Sequence, residues 1–381
     1  MLVVLFWSCL AVIAYVHLGY PLLMALLALI KKQQTLSPFK EWPTISLIIA
    51  AYNEERVLAA KLVNSLTIDY PRERLEIIVA SDGSTDATDQ IASRFAAQGV
   101  RLLRLEGRQG KTAVQNAAAA EASGEILVFS DANALFDPDA LRRLVAGFAD
   151  PTVGCVEGRR VDFAATTSAT VRTELTYRDW ESKIKVWESR VLSCVGATGP
   201  IYAVRRSLYV PLNPAVISDF MEPLLIMCRH GKRQVFEPAA ISREAVQDKM
   251  RDEFCRKVRI MTRCLNSLKK TPQVLNPFQN GWFALQVWSH RLLRWLVPVF
   301  ALIGLTANIL LLSHPFYRLS LLLAMVFLLM GAIGALLEHF RLGATILRLP
   351  HYFCAANLAA LAALSNCLRG KTIAAWQTER P

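Results

Sequence analysis

The chain has 381 residues, of which 53% are hydrophobic, and it carries a formal net charge of +12. This length can hold more than one domain, and the positive mean hydropathy is high for a soluble protein. The basic charge favours an anionic membrane surface or an anionic substrate. We expect no nucleic-acid partner, because no aromatic-basic stripe accompanies the charge. The eight cysteines form no CxxC or His-Cys cluster, which argues against structural zinc and a disulfide framework.

The first 30 residues are almost uncharged and are followed by Lys31 and Lys32. This apolar run is too long for the core of a signal peptide, and no Ala-x-Ala-like cleavage pattern follows it. It is long enough to span a membrane, and the basic pair favours the cytoplasmic side. We therefore predict a transmembrane anchor over residues 1–32.

Residues 43–275 have mixed charge and contain no apolar run near 18 residues, as is typical of a soluble domain. Short apolar runs alternate there with helical patterns. The predicted strands are Ile45–Ala50, Leu75–Ala80, Val100–Leu105 and Glu125–Ser130, and the predicted helices are Glu54–Leu66, Asp86–Gln98 and Lys111–Ala122. This order predicts an α/β domain with a parallel sheet and right-handed crossovers.

Polar residues gather where three of the predicted strands end. The clusters are Tyr52-Asn53-Glu54-Glu55, Ser81-Asp82-Gly83-Ser84-Thr85-Asp86 and Asp131-Ala132-Asn133. In open α/β sheets, ligands bind at the carboxyl ends of the strands. Ser84 and Asp86 would also make good N-caps for the next helix. Asp82 has no such role, and we predict that it contacts a ligand.

The residues at the strand ends indicate a nucleotide site with a metal ion. No GxGxxG or GxxxxGKS/T pattern is present, which argues against dinucleotide and P-loop ATP binding. Mg²⁺ and Mn²⁺ prefer oxygen ligands, typically one or two carboxylates together with substrate phosphates. Asp131 and Asn133 supply such oxygens two residues apart. We predict that they hold Mg²⁺ or Mn²⁺ and, through it, a diphosphate.

Four ordered motifs together resemble the donor-binding half of a family 2 glycosyltransferase with a GT-A fold. They are YNEE at 52–55, SDGSTD at 81–86, GRQGKTAVQNAA at 107–118 and SDAN at 130–133. The resemblance covers residues 44–275 and implies a Rossmann-like GT-A domain. It implies that the nucleotide-sugar is bound by Tyr52, Asn53, Glu54, Asp82, Lys111 and Asp131, and that Asp131 and Asn133 form the DxD metal motif.

The motifs depart from the family pattern at three positions. Ala51 or Ala50 stands in place of the usual Pro before the Tyr-Asn-Glu motif, Ser81 in place of the first Asp of DDGS, and Asn133 in place of the second Asp of DxD. An amide oxygen can bind Mg²⁺ but brings no charge. We therefore expect weaker metal binding than an aspartate would give.

The acceptor half must supply a base, because inverting transfer takes a proton from the acceptor hydroxyl. Asp219 precedes a helical pattern over Met221–His230, where its spacing would also fit an N-cap. By resemblance, Asp219 aligns with the catalytic base of the family, with Ser218 where an acid often stands. The stretch Gly196–Tyr202 resembles the Gly-rich segment near the acceptor, and its two glycines would allow close backbone approach.

Arg256, Arg259 and Arg263 recur at helical spacing and form one basic face, which would also fit a solvated or lipid-headgroup surface. The resemblance places Arg256 and Arg259 where processive members carry Gln-x-x-Arg-Trp and implies that they bind the diphosphate. Ile260 stands in place of the Trp, which borders the acceptor sugar in those members. This departure argues against long-chain polymerisation.

The carboxyl-terminal part, residues 295–381, is predicted to be a membrane region with a cytoplasmic tail. Trp295–Leu312 and Leu319–Leu337 reach spanning length, although buried core helices are an alternative. Pro350–Leu368 contains two Asn residues, whose burial in lipid is costly, so we expect it not to cross. The aromatic and basic residues of 277–294 suit an interfacial helix. The tail Trp376–Arg380 resembles a Trp-x-x-x-Arg ending of some membrane members.

These inferences predict an inverting, metal-dependent glycosyltransferase in the cytoplasmic (inner) membrane, with its catalytic domain in the cytoplasm. We expect it to move sugar from a nucleotide-sugar, with a leaning to UDP, to a lipid-linked or glycan acceptor in cell-surface or exopolysaccharide synthesis. Partners could include other polysaccharide-assembly proteins. One alternative is a membrane nucleotidyltransferase, although the expected Gly-Arg-Lys-rich triphosphate loop is missing. Another is a membrane scaffold with a degenerate glycosyltransferase fold, which the Asn133 and Ile260 departures favour.

Overall fold

The computed structural model describes residues 1–31, 39–163, 169–245, 250–339 and 345–371. The chain divides into two compact units. The sheet unit contains the described residues of 28–163 and 182–245, and the helical unit contains those of 1–27, 164–181 and 246–372. Residues 250–275 fall in the helical unit, and the domain limits inferred from the sequence stay a prediction.

The described strands of the sheet unit form one sheet. They are β1 Ile45–Ala51, β2 Leu75–Ser81, β3 Val100–Arg104, β4 Ile126–Asp131, β5 Leu135–Phe136, β6 Val153–Phe163, β7 Tyr202–Arg205 and β8 Arg233–Ala245. Their order is β3-β2-β1-β4-β7-β6-β8-β5. Strands β1 to β4 are mutually parallel, as predicted. Strand β7 is antiparallel to β4 and β6, so the sheet as a whole is mixed.

The helices surround this sheet or belong to the helical unit. In the described residues they are α1 Leu2–Ala14, α2 Tyr20–Ile30, α3 Leu58–Leu66, α4 Thr88–Arg94, α5 Lys111–Glu121, α6 Ala140–Ala146, α7 Ala169–Val191, α8 Ser218–His230, α9 Met250–Lys270, α10 Pro277–Val287, α11 Leu293–Ile309, α12 Pro315–His339 and α13 Arg348–Leu368. Helix α7 begins in the helical unit and ends in the sheet unit.

Strand β1 is buried over its whole length, because both faces of the sheet are covered. Ile45, Leu47 and Ile49 belong to one hydrophobic cluster, whereas Ile48 and Ala50 belong to another. Successive side chains of a strand point to opposite faces, so an unbroken apolar run fits this position. Burial of each isoleucine stabilises the fold by roughly 1.5–3 kcal/mol. The strand is therefore a rigid base for the residues that follow it.

Two helices start later than the sequence predicts. Helix α3 begins at Leu58 rather than Glu54, and α4 begins at Thr88 rather than Asp86. The Glu54 backbone N–H donates to Thr88 Oγ1 at 2.7 Å, which ties the two loops together. Asp86 Oδ1 accepts the Thr88 N–H at 2.9 Å at the start of α4, as a helix cap would, and its Oδ2 accepts the Glu55 N–H of the neighbouring loop. Ser84 Oγ accepts the Asn53 N–H of that loop. No pattern within one helix could reveal this.

Three helices in the described part of the chain are long and apolar enough to cross a membrane: Leu2–Ile30, Pro277–Ile309 and Pro315–Leu337. The predicted interfacial segment 277–294 is continuous with the helix that follows it, with a break at Gly281 (φ 51°, ψ −129°). Helix α13 is not among the three. Its interfacial position and that of 277–294 stay predictions, and Trp376–Arg380 lies outside the described residues.

Candidate functional site

The loops after β1 and β2 are joined by side-chain-to-backbone hydrogen bonds. Asn53 adopts a left-handed conformation with φ 52°, and its Oδ1 accepts the backbone N–H of Thr85 at 2.9 Å. Asp86 Oδ2 accepts the backbone N–H of Glu55 at 3.1 Å. Asx side chains tolerate this conformation better than most residues. Asn53 and Asp86 therefore shape the two loops, and direct contact between Asn53 and a nucleotide stays a prediction.

Asp82 is buried, with 1% of its surface exposed, and it fixes the loop over residues 107–110. Its Oδ1 accepts the backbone N–H of Gln109 at 2.8 Å, and its Oδ2 accepts that of Gly110 at 2.9 Å. Gly83 lies against the same loop with φ +69°, and a Cβ atom there would lie 2.5 Å from the Gly107 carbonyl oxygen. Asp82 thus has a structural role that the sequence did not reveal.

The 107–110 loop also contacts the end of β1. The Arg108 guanidinium lies 4.0 Å from the centroid of the Tyr52 ring, within the range of a cation–π interaction. The loop leads into α5, whose N-cap is Gly110 with φ 97°. The N-terminus of a helix favours anionic groups. The loop and helix therefore form a surface on which a nucleotide diphosphate could be bound.

Three charged side chains converge beside Gly199. A Cβ atom on this glycine would lie 2.5 Å from Lys111 Nζ, 2.7 Å from Asp219 Oδ2 and 3.3 Å from Asp131 Oδ2. Lys111 begins α5, Asp131 ends β4 and Asp219 lies in the first turn of α8. The fold therefore brings together three of the residues predicted from separate motifs, around a backbone position without a side chain.

Lys111 is the positive charge of this group, and its ammonium donates a hydrogen bond to Asp131 Oδ1. Burial alone would lower the pKa of Lys111, but the carboxylates of Asp131 and Asp219 outweigh it and raise the pKa above its ordinary value. The ammonium therefore stays charged at neutral pH. It offsets the repulsion between the two carboxylates and offers a cation to a phosphate group.

Asp219 is not a helix cap, because the N-cap of α8 is Ile217. Its Oδ1 accepts the backbone N–H of Phe220 at 3.0 Å, and its carbonyl oxygen accepts the Ala197 N–H at 2.9 Å. Gly196 has φ +76°, and a Cβ atom there would lie 2.6 Å from Phe220 Cδ2. The Gly-rich loop is therefore held closely against the start of α8, and this leaves Asp219 Oδ2 directed toward Gly199.

The predicted metal ligands supply a small donor set. Among the described residues, no group of three or more His, Cys, Asp or Glu side chains is arranged to hold a metal ion. Asp131 Oδ2 is directed toward Gly199, and the half-buried Asn133 follows in the same turn. Mg²⁺ or Mn²⁺ commonly keeps several water ligands and takes substrate phosphates beside one or two carboxylates. One carboxylate and one amide fit such a weakly bound ion.

Arg256 and Arg259 belong to the helical unit, on α9. Arg256 forms a bidentate ion pair with Glu253 at 2.7 and 2.6 Å. Burial lowers the pKa of the half-buried Arg259, and the neighbouring charges of Arg256 and Arg263 lower it further. The basic helical face predicted from the sequence is thus present, and diphosphate binding by these residues stays a prediction.

Two buried charged residues near the site were missed by the sequence analysis. Glu222 lies one turn after Asp219, and burial raises the pKa of its carboxyl to about 8. Lys61 is fully buried in α3, and burial lowers its pKa to about 7 against the opposing effect of Asp131 and Glu244. A charged residue inside an apolar helical stripe is the sequence signal that could have identified each of them.

Residues 46–209 match the family described as Glycosyl transferase family 2. The chain is 30% identical over 217 residues to Probable glycosyltransferase YdaM of Bacillus subtilis (strain 168), a match covering 54% of this chain and 51% of that protein. It is 33% identical over 123 residues to beta-monoglucosyldiacylglycerol synthase of Synechocystis sp. (strain ATCC 27184 / PCC 6803 / Kazusa), covering 31% and 26%. The chain thus spans about half or less of these relatives' lengths.

Among solved structures, the chain is similar to mannosyltransferase PcManGT from Pyrobaculum calidifontis, in complex with GDP-Man and Mn²⁺. The two are 25% identical with a TM-score of 0.74, and the match covers 96% of this chain and 99% of the other. The similarity extends through the sheet unit and the helical unit. It confirms the GT-A fold that the four sequence motifs predicted.

We expect Gly199→Ala to abolish catalysis with little loss of stability. The backbone of Gly199 is not in the left-handed region, so alanine is tolerated there, but its Cβ atom would displace Lys111 Nζ and Asp219 Oδ2. The rate of sugar transfer and the thermal unfolding midpoint of the purified protein check this. Gly231→Ala is the matched control, because no atom lies within 4 Å of the Cβ position there. Alanine is strained at this position, where φ is +62°. It should lower stability by about 1 kcal/mol and leave the rate unchanged. Equal rates in the two variants would contradict the geometry.

We expect Glu222→Gln to stabilise the protein increasingly as pH rises. In the unfolded chain Glu222 ionises near its ordinary pKa of 4.5, whereas in the folded protein it stays protonated up to about pH 8. The contribution of the Glu222 carboxyl to the free energy of unfolding is therefore complete below its pKa in the unfolded chain, and it is lost as pH rises to about 8. Each pKa unit corresponds to about 1.4 kcal/mol. Unfolding midpoints between pH 5 and 9 should show a widening gap from wild type that levels off above pH 8. Glu106→Gln, at an exposed position, should show no such widening gap. A gap for Glu222→Gln that stays constant with pH would contradict the raised pKa of Glu222.

Proposed function

We propose, from the premise that residues 46–209 form a family 2 glycosyltransferase domain, that this chain is an inverting, metal-dependent glycosyltransferase of the cytoplasmic membrane. It moves a sugar from a nucleotide-sugar donor to a lipid-linked or glycan acceptor in cell-surface or exopolysaccharide synthesis. The observation that carries this proposal is the convergence of Lys111, Asp131 and Asp219 at Gly199.

In the proposed reaction, Asp219 is the general base. Its Oδ2 atom takes the proton of the acceptor hydroxyl while that oxygen forms a bond to the anomeric carbon of the donor sugar. The bond between the anomeric carbon and the diphosphate oxygen breaks, and the diphosphate keeps the electron pair. Attack opposite the leaving group inverts the configuration at this carbon. Because Gly199 has no side chain, Lys111 Nζ can lie close to Asp219 Oδ2 beside this backbone position.

The departing diphosphate needs positive charge close to its oxygens. Lys111 supplies part of it, since its ammonium is held at the site by Asp131. Asp131 and Asn133 would hold a Mg²⁺ or Mn²⁺ ion, which supplies further positive charge to the diphosphate. The Mn²⁺ and GDP-Man in the complex of the similar mannosyltransferase support this assignment. Arg256 and Arg259 are proposed as further diphosphate contacts.

The nucleotide is proposed to bind at the ends of β1 and β2. Tyr52, Asn53, Glu54 and Asp82 are the proposed contacts, with Asp82 acting partly through the 107–110 loop that it orders. The sequence motifs make a uridine nucleotide the first candidate for the nucleotide part of the donor. The GDP-Man bound to the similar mannosyltransferase makes a guanosine nucleotide the second.

The acceptor is proposed to be membrane-associated. Three helices in the described part of the chain are apolar enough to cross a membrane. Beta-monoglucosyldiacylglycerol synthase, one of the relatives, bears a glycolipid name. Lys31, at the end of the first of these helices, favours the cytoplasmic side for the residues that follow. Nucleotide-sugar donors would reach the domain from there.

We expect purified membranes containing the chain to consume one nucleotide-sugar and to add one sugar mass to a lipid or glycan. The experiment offers UDP- and GDP-linked sugars separately and analyses the lipid and glycan fractions by mass spectrometry. Membranes with Asp131→Ala are the control. Consumption of no donor by the wild type would favour the membrane scaffold alternative. Release of pyrophosphate from a nucleoside triphosphate would favour the nucleotidyltransferase.

We expect Asp219→Asn to lower turnover by a factor on the order of 10²–10⁴, the usual contribution of a positioned base. Nucleotide affinity should change little, because asparagine keeps the shape of the side chain. Turnover and nucleotide affinity are measured on the same preparation. Asp139→Asn is the matched control, since Asp139 is a surface carboxylate paired with Arg143. A parallel fall in affinity and turnover would make Asp219 a binding or folding residue.

A further inference from the structure

Helix α3 carries a lysine in the middle of its buried face. The buried residues of this helix are Leu58, Lys61, Leu62 and Ser65, and Lys61 is 0% exposed. Lysine is almost never fully buried unless it is paired, because removing an ammonium from water is costly. A methionine of similar length would fill the same space without that cost. The ammonium itself must therefore be explained.

Lys61 bonds to the chain directly after the proposed metal ligands. Its Nζ donates to the carbonyl oxygen of Ala134 at 2.5 Å and lies 3.6 Å from the centroid of the Phe136 ring. The Ala134 N–H in turn donates to the Asp131 carbonyl oxygen at 3.2 Å. The turn that presents Asp131 and Asn133 is thus closed at its far end by a residue that Lys61 holds.

Asn64, one turn further along α3, holds the same segment. Its Nδ2 donates to the Phe136 carbonyl oxygen at 2.8 Å, and its Oδ1 accepts the Phe136 N–H at 2.8 Å. The sheet holds this segment through the two-residue strand β5, which pairs with β8. Two side chains of helix α3 add three further hydrogen bonds to residues 134–136.

We propose that Lys61 and Asn64 are positioning residues that fix the Asp131–Ala134 turn, so that Asp131 and Asn133 present their oxygens to the metal in one orientation. This inference rests on the proposed function, in which those two residues bind the ion. Metal ligands bind tightly only when neighbouring residues hold them rigidly in one orientation. A turn with only one carboxylate has little binding strength to spare, so its orientation matters more.

A charge effect of Lys61 would act in the opposite direction. An ammonium near a divalent cation repels it, and removal of that charge alone would tighten metal binding. Loss of the hydrogen bond to Ala134 would loosen the turn and weaken binding. The sign of the change in metal affinity therefore separates positioning from electrostatics.

The test measures Mn²⁺ affinity of the detergent-purified full chain in the presence of UDP, from the electron paramagnetic resonance signal of free Mn²⁺. We expect Lys61→Met and Asn64→Ala each to weaken binding about tenfold, as is usual for residues that orient metal ligands. Lys61→Gln keeps an N–H donor without the charge and should recover most of the affinity. Tighter binding in Lys61→Met would overturn the proposal in favour of the charge effect.

Three further variants make the result decisive. Lys185→Met removes another buried ammonium, bonded to Glu157 at 2.6 Å, and should lower the unfolding midpoint without changing Mn²⁺ affinity. Asn133→Asp should tighten binding. Asp131→Ala should abolish it. Loss of binding in Asp131→Ala with unchanged binding in Lys61→Met and Asn64→Ala would overturn this inference alone. Unchanged binding in Asp131→Ala would overturn the metal site itself. If Lys61→Met does not fold, Asn64→Ala decides the question: weakened Mn²⁺ binding supports the proposal and unchanged binding overturns it.

Discussion

The Lys111 ammonium between the carboxylates of Asp131 and Asp219 is the interaction on which the candidate site depends. The two carboxylates come from distant parts of the chain and would repel each other if no cation lay between them. Lys111 stands at the first position of α5, which the 107–110 loop leads into, so the shape of that loop fixes where the ammonium lies. A Cβ atom at Gly199 would lie within 3.3 Å of all three charged groups, so the absence of a side chain there allows them to meet.

Several polar residues of the site act on the backbone rather than on a ligand. Asp82 accepts backbone N–H groups of the 107–110 loop, and Asn53 accepts one from the loop after β2. Loops of this kind would otherwise sample many conformations, at a conformational cost of about 1–2 kcal/mol per ordered residue. Buried strands provide the rigid base, and side chains such as Asp82 transmit that rigidity to the loops. Such residues can be essential to a reaction without touching the substrate.

The strand predictions agree with the structure to within one residue at each end, because unbroken apolar runs have few alternatives in an α/β sheet. The starts of α3 and α4 were wrong by four and two residues. There, Glu54 and Asp86 bond to a loop that is neighbouring in space and distant in sequence. The antiparallel strand β7 was not predicted, since four residues carry too short a pattern to show their direction.

The sequence by itself determined the parallel half of the sheet, the three apolar helices and the motif residues at the strand ends, because each is encoded in a local pattern. It also identified Lys111, Asp131 and Asp219 as separate candidates. Only the tertiary structure decided that these three meet at Gly199 and that Lys61 lies buried beneath the Asp131–Ala134 turn. The reason is physical. Periodicity tells which face of an element is buried, whereas the partner of a buried charge depends on which elements the fold brings together.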